Sequence, residues 1–356
     1  MAEARRRILT VFAGLPGGQT SGAQRMAWRT TAALARRGHI VAVRTDATPP
    51  SEVDTAFAEP AGFVPDVVHA YDLALPGAVV LARDLARRCG AAFVLTPASA
   101  PSVWPDVDLG ARLCAAAEAL FLLTPAEAAA LRAFGADQAR LRTLPSAPDL
   151  AGRPDPAGFR ARHGIAGPLV LFLGRRVATK GYRVLLDAAP RVWADHPGTT
   201  FAFAGPYGEP GAAAAFAAAD PRIRDLGVLD EQAKHDALAA CDVFCLPTSA
   251  DVFPLVFAEA WSLARPVVTG RFPGVRDVVG DGVDGLVVPA RAADVAAAVG
   301  RLLADPALRA ALGARGRARV EATMGWDRVA AAVEAGYPGY PGYRTTFSAP
   351  PRSNRS

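Results

Sequence analysis

The chain alternates two textures. Short apolar runs, among them Ile8 to Phe12, Ile40 to Val43, Val67 to Ala70, Phe93 to Thr96 and Leu120 to Leu123, are separated by stretches in which Ala, Leu and Val return at helical spacing. That alternation is the grammar of strands joined by crossover helices, and it predicts parallel sheets covered on both faces. The segment from Gly22 to Arg37 reads as the first crossover helix. Near Arg153-Pro154-Asp155-Pro156 the composition turns Pro- and Gly-rich, and after Gly164 to Pro168 a new strand pattern starts with Leu169-Val170-Leu171-Phe172-Leu173. The grammar then repeats through Thr200 to Ala204, Val243 to Leu246, Pro266 to Thr269 and Gly285 to Val288. The expectation is an α/β chain of two doubly wound, Rossmann-like domains, over 1–164 and 165–319, with ligand crevices at the carboxyl ends of the strands. A helical stretch containing Trp326 closes the ordered chain over 320–338. Residues 339–356 are rich in Pro, Gly and Ser without apolar periodicity, which predicts a disordered tail.

Composition narrows the partners. The 356 residues exceed what one hydrophobic core serves, in keeping with two domains of about 150 to 180 residues each. With 51% apolar and 21% charged residues, a largely disordered chain is excluded. The formal charge is +5 and the Arg residues are scattered among Ala-rich helical patterns, so no basic stripe suits nucleic acid, whereas anionic small molecules fit. Cys89, Cys114, Cys241 and Cys245 are too few and too spread for a disulfide scaffold, which points to a reducing cytoplasm. Cys241 and Cys245 flank a buried strand pattern and read as packing residues. Arg5-Arg6-Arg7 before Ile8 to Ala13 has the outline of a leader, but the apolar run is short and ends in Gly14-Leu15-Pro16-Gly17-Gly18, so a first strand is expected. No apolar run reaches the roughly 18 residues of a membrane-spanning helix. The Arg-rich stretch from Leu81 to Arg88 reads either as a solvated helix face or as a surface for peripheral contact with an anionic membrane.

Two loops carry the chemistry. Gly174-Arg175-Arg176-Val177-Ala178-Thr179-Lys180-Gly181 follows a strand and precedes a helix. Arg175 offers a rigid donor fork and Lys180 a mobile point charge, a pair suited to adjacent phosphates of a diphosphate, and a plain solvated loop is the alternative. The second loop, Pro247-Thr248-Ser249-Ala250-Asp251-Val252-Phe253-Pro254-Leu255, also follows a strand. Pro254 suits the first position of a helix, whose free amides and dipole attract phosphate. Glu259, further along that helix, can accept two ribose hydroxyls or stand as an ordinary exposed residue. Asp251 can reach sugar hydroxyls or serve as a turn or capping residue.

These residues resemble retaining glycosyltransferases of family 4. The resemblance rests on the Gly174 to Gly181 loop, on Asp251 and Glu259 around Phe253-Pro254-Leu255, and on Pro266-Val267-Val268 followed by Asp281-Gly282-Val283-Asp284-Gly285-Leu286-Val287-Val288-Pro289. Weaker likenesses are Ser21-Gly22 to the family's glycine turn, which implies that Gly22 is a donor-binding residue, and Trp326 with Tyr337 to its closing helix. The resemblance implies a GT-B fold, two Rossmann-like domains facing each other across a cleft, with a nucleoside-diphosphate sugar held by the C-terminal domain. The acceptor, a small molecule, glycan or lipid-linked sugar, would be held mainly by the N-terminal domain. It implies that Arg175 and Lys180 hold and stabilise the departing diphosphate, that Phe253, Pro254 and Leu255 meet the phosphates with their backbone, that Glu259 binds ribose and that Asp251 binds the transferred sugar. It implies no metal or cofactor, and retention by attack on the face the leaving group departs from.

The sequence departs from the family where Asp251 stands in place of Glu, an acid shorter by about one methylene. The run Asp66-Val67-Val68-His69-Ala70-Tyr71-Asp72 carries Tyr71 where a second histidine is usual. Either His69 or Tyr71 is a candidate to touch the donor sugar, Tyr71 as a hydrogen-bond donor, and His69 reads equally as a core histidine. Thr96-Pro97-Ala98-Ser99 lacks a further family histidine. These departures leave a catalytically degenerate sugar-nucleotide-binding protein as the alternative, and a UDP-sugar 2-epimerase as a weaker one.

Overall fold

The computed structural model describes residues 5–14, 21–46, 57–150, 152–217 and 220–339. Gly17, Gly18 and the tail from 340 onward lie outside them. The chain forms two compact units. Among the described residues, one unit comprises those up to Leu122, then Ala128–Leu144, then those from Ala330; the other comprises Leu123–Glu127 and Pro145–Val329.

The first unit contains β1 (Arg7–Phe12), α1 (Gly22–Arg36), β2 (Ile40–Thr45), β3 (Val67–Tyr71), α2 (Pro76–Cys89), β4 (Ala92–Thr96), α3 (Val107–Ala116) and β5 (Ala119–Leu122). α4 (Pro125–Ala133) and β6 (Leu141–Thr143) come next. Its six strands pair in parallel in the order β2-β1-β3-β4-β5-β6. The arginine-led run that imitates a leader is thus β1, and past Arg7 it is buried, as a strand covered on both faces must be. Local chemistry sets the helix ends. Ser21 caps α1 in a capping box with Gln24, and α2 starts on Pro76 and stops at left-handed Gly90. The apolar face of α2, with Val79, Ala82 and Leu85, is spent on the core, and Arg87 and Arg88 stay exposed.

The second unit contains α5 (Pro156–Arg162), β7 (Leu169–Leu173), α6 (Tyr182–Asp195), β8 (Thr200–Ala204), α7 (Ala214–Ala217), β9 (Ile223–Asp225), α8 (Glu231–Ala240) and β10 (Val243–Leu246). It continues with α9 (Leu255–Ser262), β11 (Val267–Thr269), α10 (Val275–Val278), β12 (Gly285–Val287), α11 (Ala292–Ala304), α12 (Pro306–Thr323) and α13 (Trp326–Ala335). Its parallel sheet runs β12-β11-β10-β7-β8-β9. That is the doubly wound order in which the winding reverses between the first and fourth strands, here β7 and β10. Cys241 and Cys245 are fully buried, and burial pushes the Cys241 thiol up to about 12, consistent with packing residues.

The boundary expected at 164/165 lies at 144/145. α5 belongs to the second unit: Phe159 is buried in the second core, and Arg160 donates to the Ala240 carbonyl and to Asp242. The closing helix expected over 320–338 is two helices, α12 and α13, broken at Met324-Gly325, and the chain passes from the second unit to the first within α13 at 329/330.

Candidate functional site

In a doubly wound sheet the loops leaving the strands on either side of the reversal diverge and leave a crevice. In the second unit these are the loops after β7 and β10, the two that carry the candidate chemistry. They are bound tightly to each other. The Thr179 carbonyl accepts from the Ser249 amide at 2.8 Å and from Thr248 Oγ1 at 2.9 Å. Gly181 has φ +77°, and a Cβ there would lie 2.2 Å from the Pro247 carbonyl oxygen, so only glycine fits. From the side of β8, Glu209 accepts from the Ala178 amide at 2.6 Å and from the Tyr182 hydroxyl at 2.9 Å. Those hydrogen bonds hold its carboxyl below the usual range, that from Tyr182 contributing most.

Within this frame the two arginines separate. Arg176 is fully buried: it donates to Asp225 and the Phe203 carbonyl, and its guanidinium lies 4.4 Å from the centre of the Tyr207 ring and 4.6 Å from that of Phe216. It fastens the loop to the strands. Arg175 is exposed and makes no ion pair among the described residues, so its donor fork is available to an anion. Lys180 is brought together with Asp251 in an ion pair, which joins a candidate phosphate cation to a candidate sugar acid.

Pro254 is the cap of α9 rather than its first residue, a position held by Leu255. The amides of Phe253, Leu255 and Val256 donate to no group among the described residues, the arrangement in which a helix start accepts an anion. Glu259 faces inward. It is 2% exposed, and Lys234 Nζ on α8 donates to its Oε1 at 3.0 Å, so the reading as an ordinary exposed residue fails. Lys234, Glu209 and Thr179 were not legible as site residues, because each acquires its part from a contact distant in sequence. The motif from Asp281 to Gly285 shapes the turn into β12: Asp281 accepts from the Val287 amide, and Asp284 accepts from the Gly280 amide and Arg319.

In the first unit Gly22 is the exposed first residue of α1. His69 and Tyr71 on β3 are both enclosed, at 0% and 1% exposure. His69 Nε2 is 2.8 Å from Thr96 Oγ1, its Nδ1 is 3.2 Å from the Tyr337 hydroxyl, and its ring stacks on Tyr71 at 4.3 Å. Burial lowers the His69 imidazole to about 3 and raises the Tyr71 phenol, so the histidine is neutral and the tyrosine protonated near pH 7. The candidate role of touching a donor sugar therefore falls on two buried side chains, the geometry of a satisfied core histidine. The same end of the sheet holds Asp72 and Ala98 at φ 74° and 55°, strained conformations for non-glycine residues directly after β3 and shortly after β4. No local pattern of residues announces either.

Two doubly wound parallel units, one presenting cations and a helix start at its switch point, define a GT-B type of protein. A family model described as "Glycosyl transferases group 1" matches residues 167–305. The chain is 30% identical over 288 residues to the glycogen synthase of Mycobacterium tuberculosis, covering 77% of this chain and 68% of that protein. It is 33% identical over 260 residues to the D-inositol 3-phosphate glycosyltransferase of Xylanimonas cellulosilytica, covering 67% of this chain and 61% of that one. This chain belongs to the group 1 glycosyltransferases. It spans 52% to 61% of the length of three D-inositol 3-phosphate glycosyltransferases that it matches. Among solved structures, HepE of Anabaena, in complex with UDP and glucose, superposes with a TM-score of 0.79 at 17% identity, over 93% of this chain and 98% of that one, a likeness of fold.

Proposed function

We propose that this protein transfers a sugar from a nucleoside diphosphate to a small-molecule, glycan or lipid-linked acceptor, with retention of configuration and without a metal. The observation that carries the proposal is the stitched pair of loops at the switch point of the second unit. Those loops carry exposed Arg175, Lys180 and the unpaired amides at the start of α9, donors suited to a diphosphate. The charge that develops on a departing diphosphate would be met by these fixed donors, which supplies the stabilisation a divalent ion supplies elsewhere. Glu259 would accept ribose hydroxyls, and Asp251 would meet the transferred sugar once the diphosphate draws Lys180 away. The names of the relatives, and UDP with glucose bound in HepE, support a nucleotide-sugar donor. The acceptor would lie at the carboxyl ends of β3 and β4, where Asp72 and Ala98 are strained. Peripheral contact with an anionic membrane would fall to Arg87 and Arg88, since the apolar face of α2 is already buried.

The burial of His69 and Tyr71 favours a second reading, a sugar-nucleotide-binding protein without transfer activity. Calorimetric titration with UDP, GDP, ADP and dTDP in EDTA tests the donor site. Tight binding of one of them is expected, and binding of none would sink the proposal. Acceptor-dependent release of the free diphosphate separates transferase from binding protein.

A further inference from the structure

Lys234 is a buried ammonium outside the diphosphate grip, 6% exposed on α8. A lysine is almost never so enclosed unless paired. Its Nζ donates to Glu259 Oε1 at 3.0 Å and to the Asp149 carbonyl oxygen at 2.7 Å, and it pairs with Glu231 at 2.9 Å. The two hydrogen bonds and the ion pair come from three places: the segment before α5, the first turn of α8, and α9. The nitrogen is therefore held from three sides, and it fixes one oxygen of Glu259 in turn. A carboxylate's last torsion is otherwise broad, so an unpinned Glu259 would present its acceptors over a wide arc.

We infer that Lys234 is a positioning residue for donor recognition, which pins the Glu259 carboxylate in the single orientation that accepts ribose hydroxyls. The inference rests on the ribose role proposed for Glu259. Lys234 touches neither sugar nor phosphate in this scheme; it supplies the counter-charge and direction that a buried acid needs to act as a geometric acceptor.

The test is the ratio of affinities for ribo- and 2′-deoxyribonucleoside diphosphates. UDP and GDP are titrated calorimetrically beside dUDP and dGDP, with wild type, Glu259→Gln, Lys234→Met and Lys234→Gln, each checked for folding by thermal melting. Wild type is expected to prefer the ribonucleotide by about tenfold or more, the worth of a hydrogen bond to a charged group. Both Glu259→Gln and Lys234→Met should bring the ratio towards one by weakening the ribonucleotide more than the deoxy ligand, which has only its 3′-hydroxyl contact to lose. Loss of overall folding would instead weaken both ligands alike. If Lys234→Met does not fold, Lys234→Gln is read in its place. A ratio that collapses in Glu259→Gln but survives in the lysine variants would overturn the role of Lys234 and leave the ribose assignment standing. A ratio that survives in Glu259→Gln would overturn the ribose assignment itself, and the inference with it.

Discussion

Lys180 already has a partner, so its contribution to diphosphate binding is a difference between two pairings. The Lys180 and Asp251 side chains are 20% and 13% exposed, so their pair is partly screened and contributes no more than about 1 kcal/mol. A charged hydrogen bond to a phosphate contributes about 1.5–3 kcal/mol. Exchanging one for the other leaves roughly 0.5–2 kcal/mol when the pair contributes its full share, so Lys180→Ala should weaken nucleoside-diphosphate binding about 2- to 30-fold. Asp251→Asn acts with the opposite sign. It removes the competitor for the ammonium and should tighten binding of the bare diphosphate by up to about fivefold, while sugar transfer falls because the acid is gone. The double variant should bind like Lys180→Ala alone, since Asp251 acts on the diphosphate only through Lys180. Calorimetric titration of the four proteins with UDP and GDP at constant ionic strength reads all three effects. If Asp251→Asn weakens the diphosphate as much as Lys180→Ala does, the pair is a brace for the loop, and competition between carboxylate and phosphate is refuted.

Two further outcomes are expected. Gly181→Ala forces a Cβ against the Pro247 carbonyl at a left-handed φ, with strain of about 1–3 kcal/mol or more. Thermal scanning should show a melting point lower by several degrees together with weaker diphosphate binding, and an unchanged melting point would show that the two loops part easily. Glu127, whose Oε2 accepts from the Leu123 amide, is pushed up to about 8 by burial, against smaller opposing effects from the Leu123 and Thr124 backbone. The folded form thus holds its proton more tightly than the unfolded form, so this contribution to stability is present below the unfolded carboxyl's range and is lost as pH rises through about 8. Between pH 5 and pH 9 wild type should lose about 1 kcal/mol or more relative to Glu127→Gln in urea unfolding, and parallel curves would show that Glu127 ionises without penalty.

Much of the architecture was legible because parallel strands covered on both faces are continuous apolar runs, as in Leu169 to Leu173. β6 and β9 were not. Each is a three-residue edge strand, Leu141–Thr143 and Ile223–Asp225, with a polar residue at its centre and no run to betray it. The domain boundary was displaced because a Pro- and Gly-rich linker and the true change of packing partner are different things. The composition shifts near Arg153, but Phe159 and Arg160 had already committed α5 to the second core. At the site, Arg175 and Lys180 could be named from their loop, whereas the separation of Arg175 from Arg176 could not. It depends on Asp225, Tyr207 and Phe216, which no local spacing ties to the loop. His69 stood within a strand pattern open to either of two roles, and only the enclosure by Thr96, Tyr71 and Tyr337 distinguishes them.

The first unit depends on residues that are made only after the second unit. Glu334 pairs with Arg37 and His39, Tyr337 meets His69 and Phe121, and a Cβ at Gly336 would strike the Phe121 ring. The whole of 145–329 is synthesised between β6 and these groups, an interval of about ten to forty seconds at ordinary elongation rates. During it the sheet that was translated first must wait with the buried polar cluster around His69 incompletely covered, while the second unit has every strand it needs. Order of synthesis and order of completion of the two units are therefore reversed, and of the two it is the one translated earlier that most needs protection from aggregation.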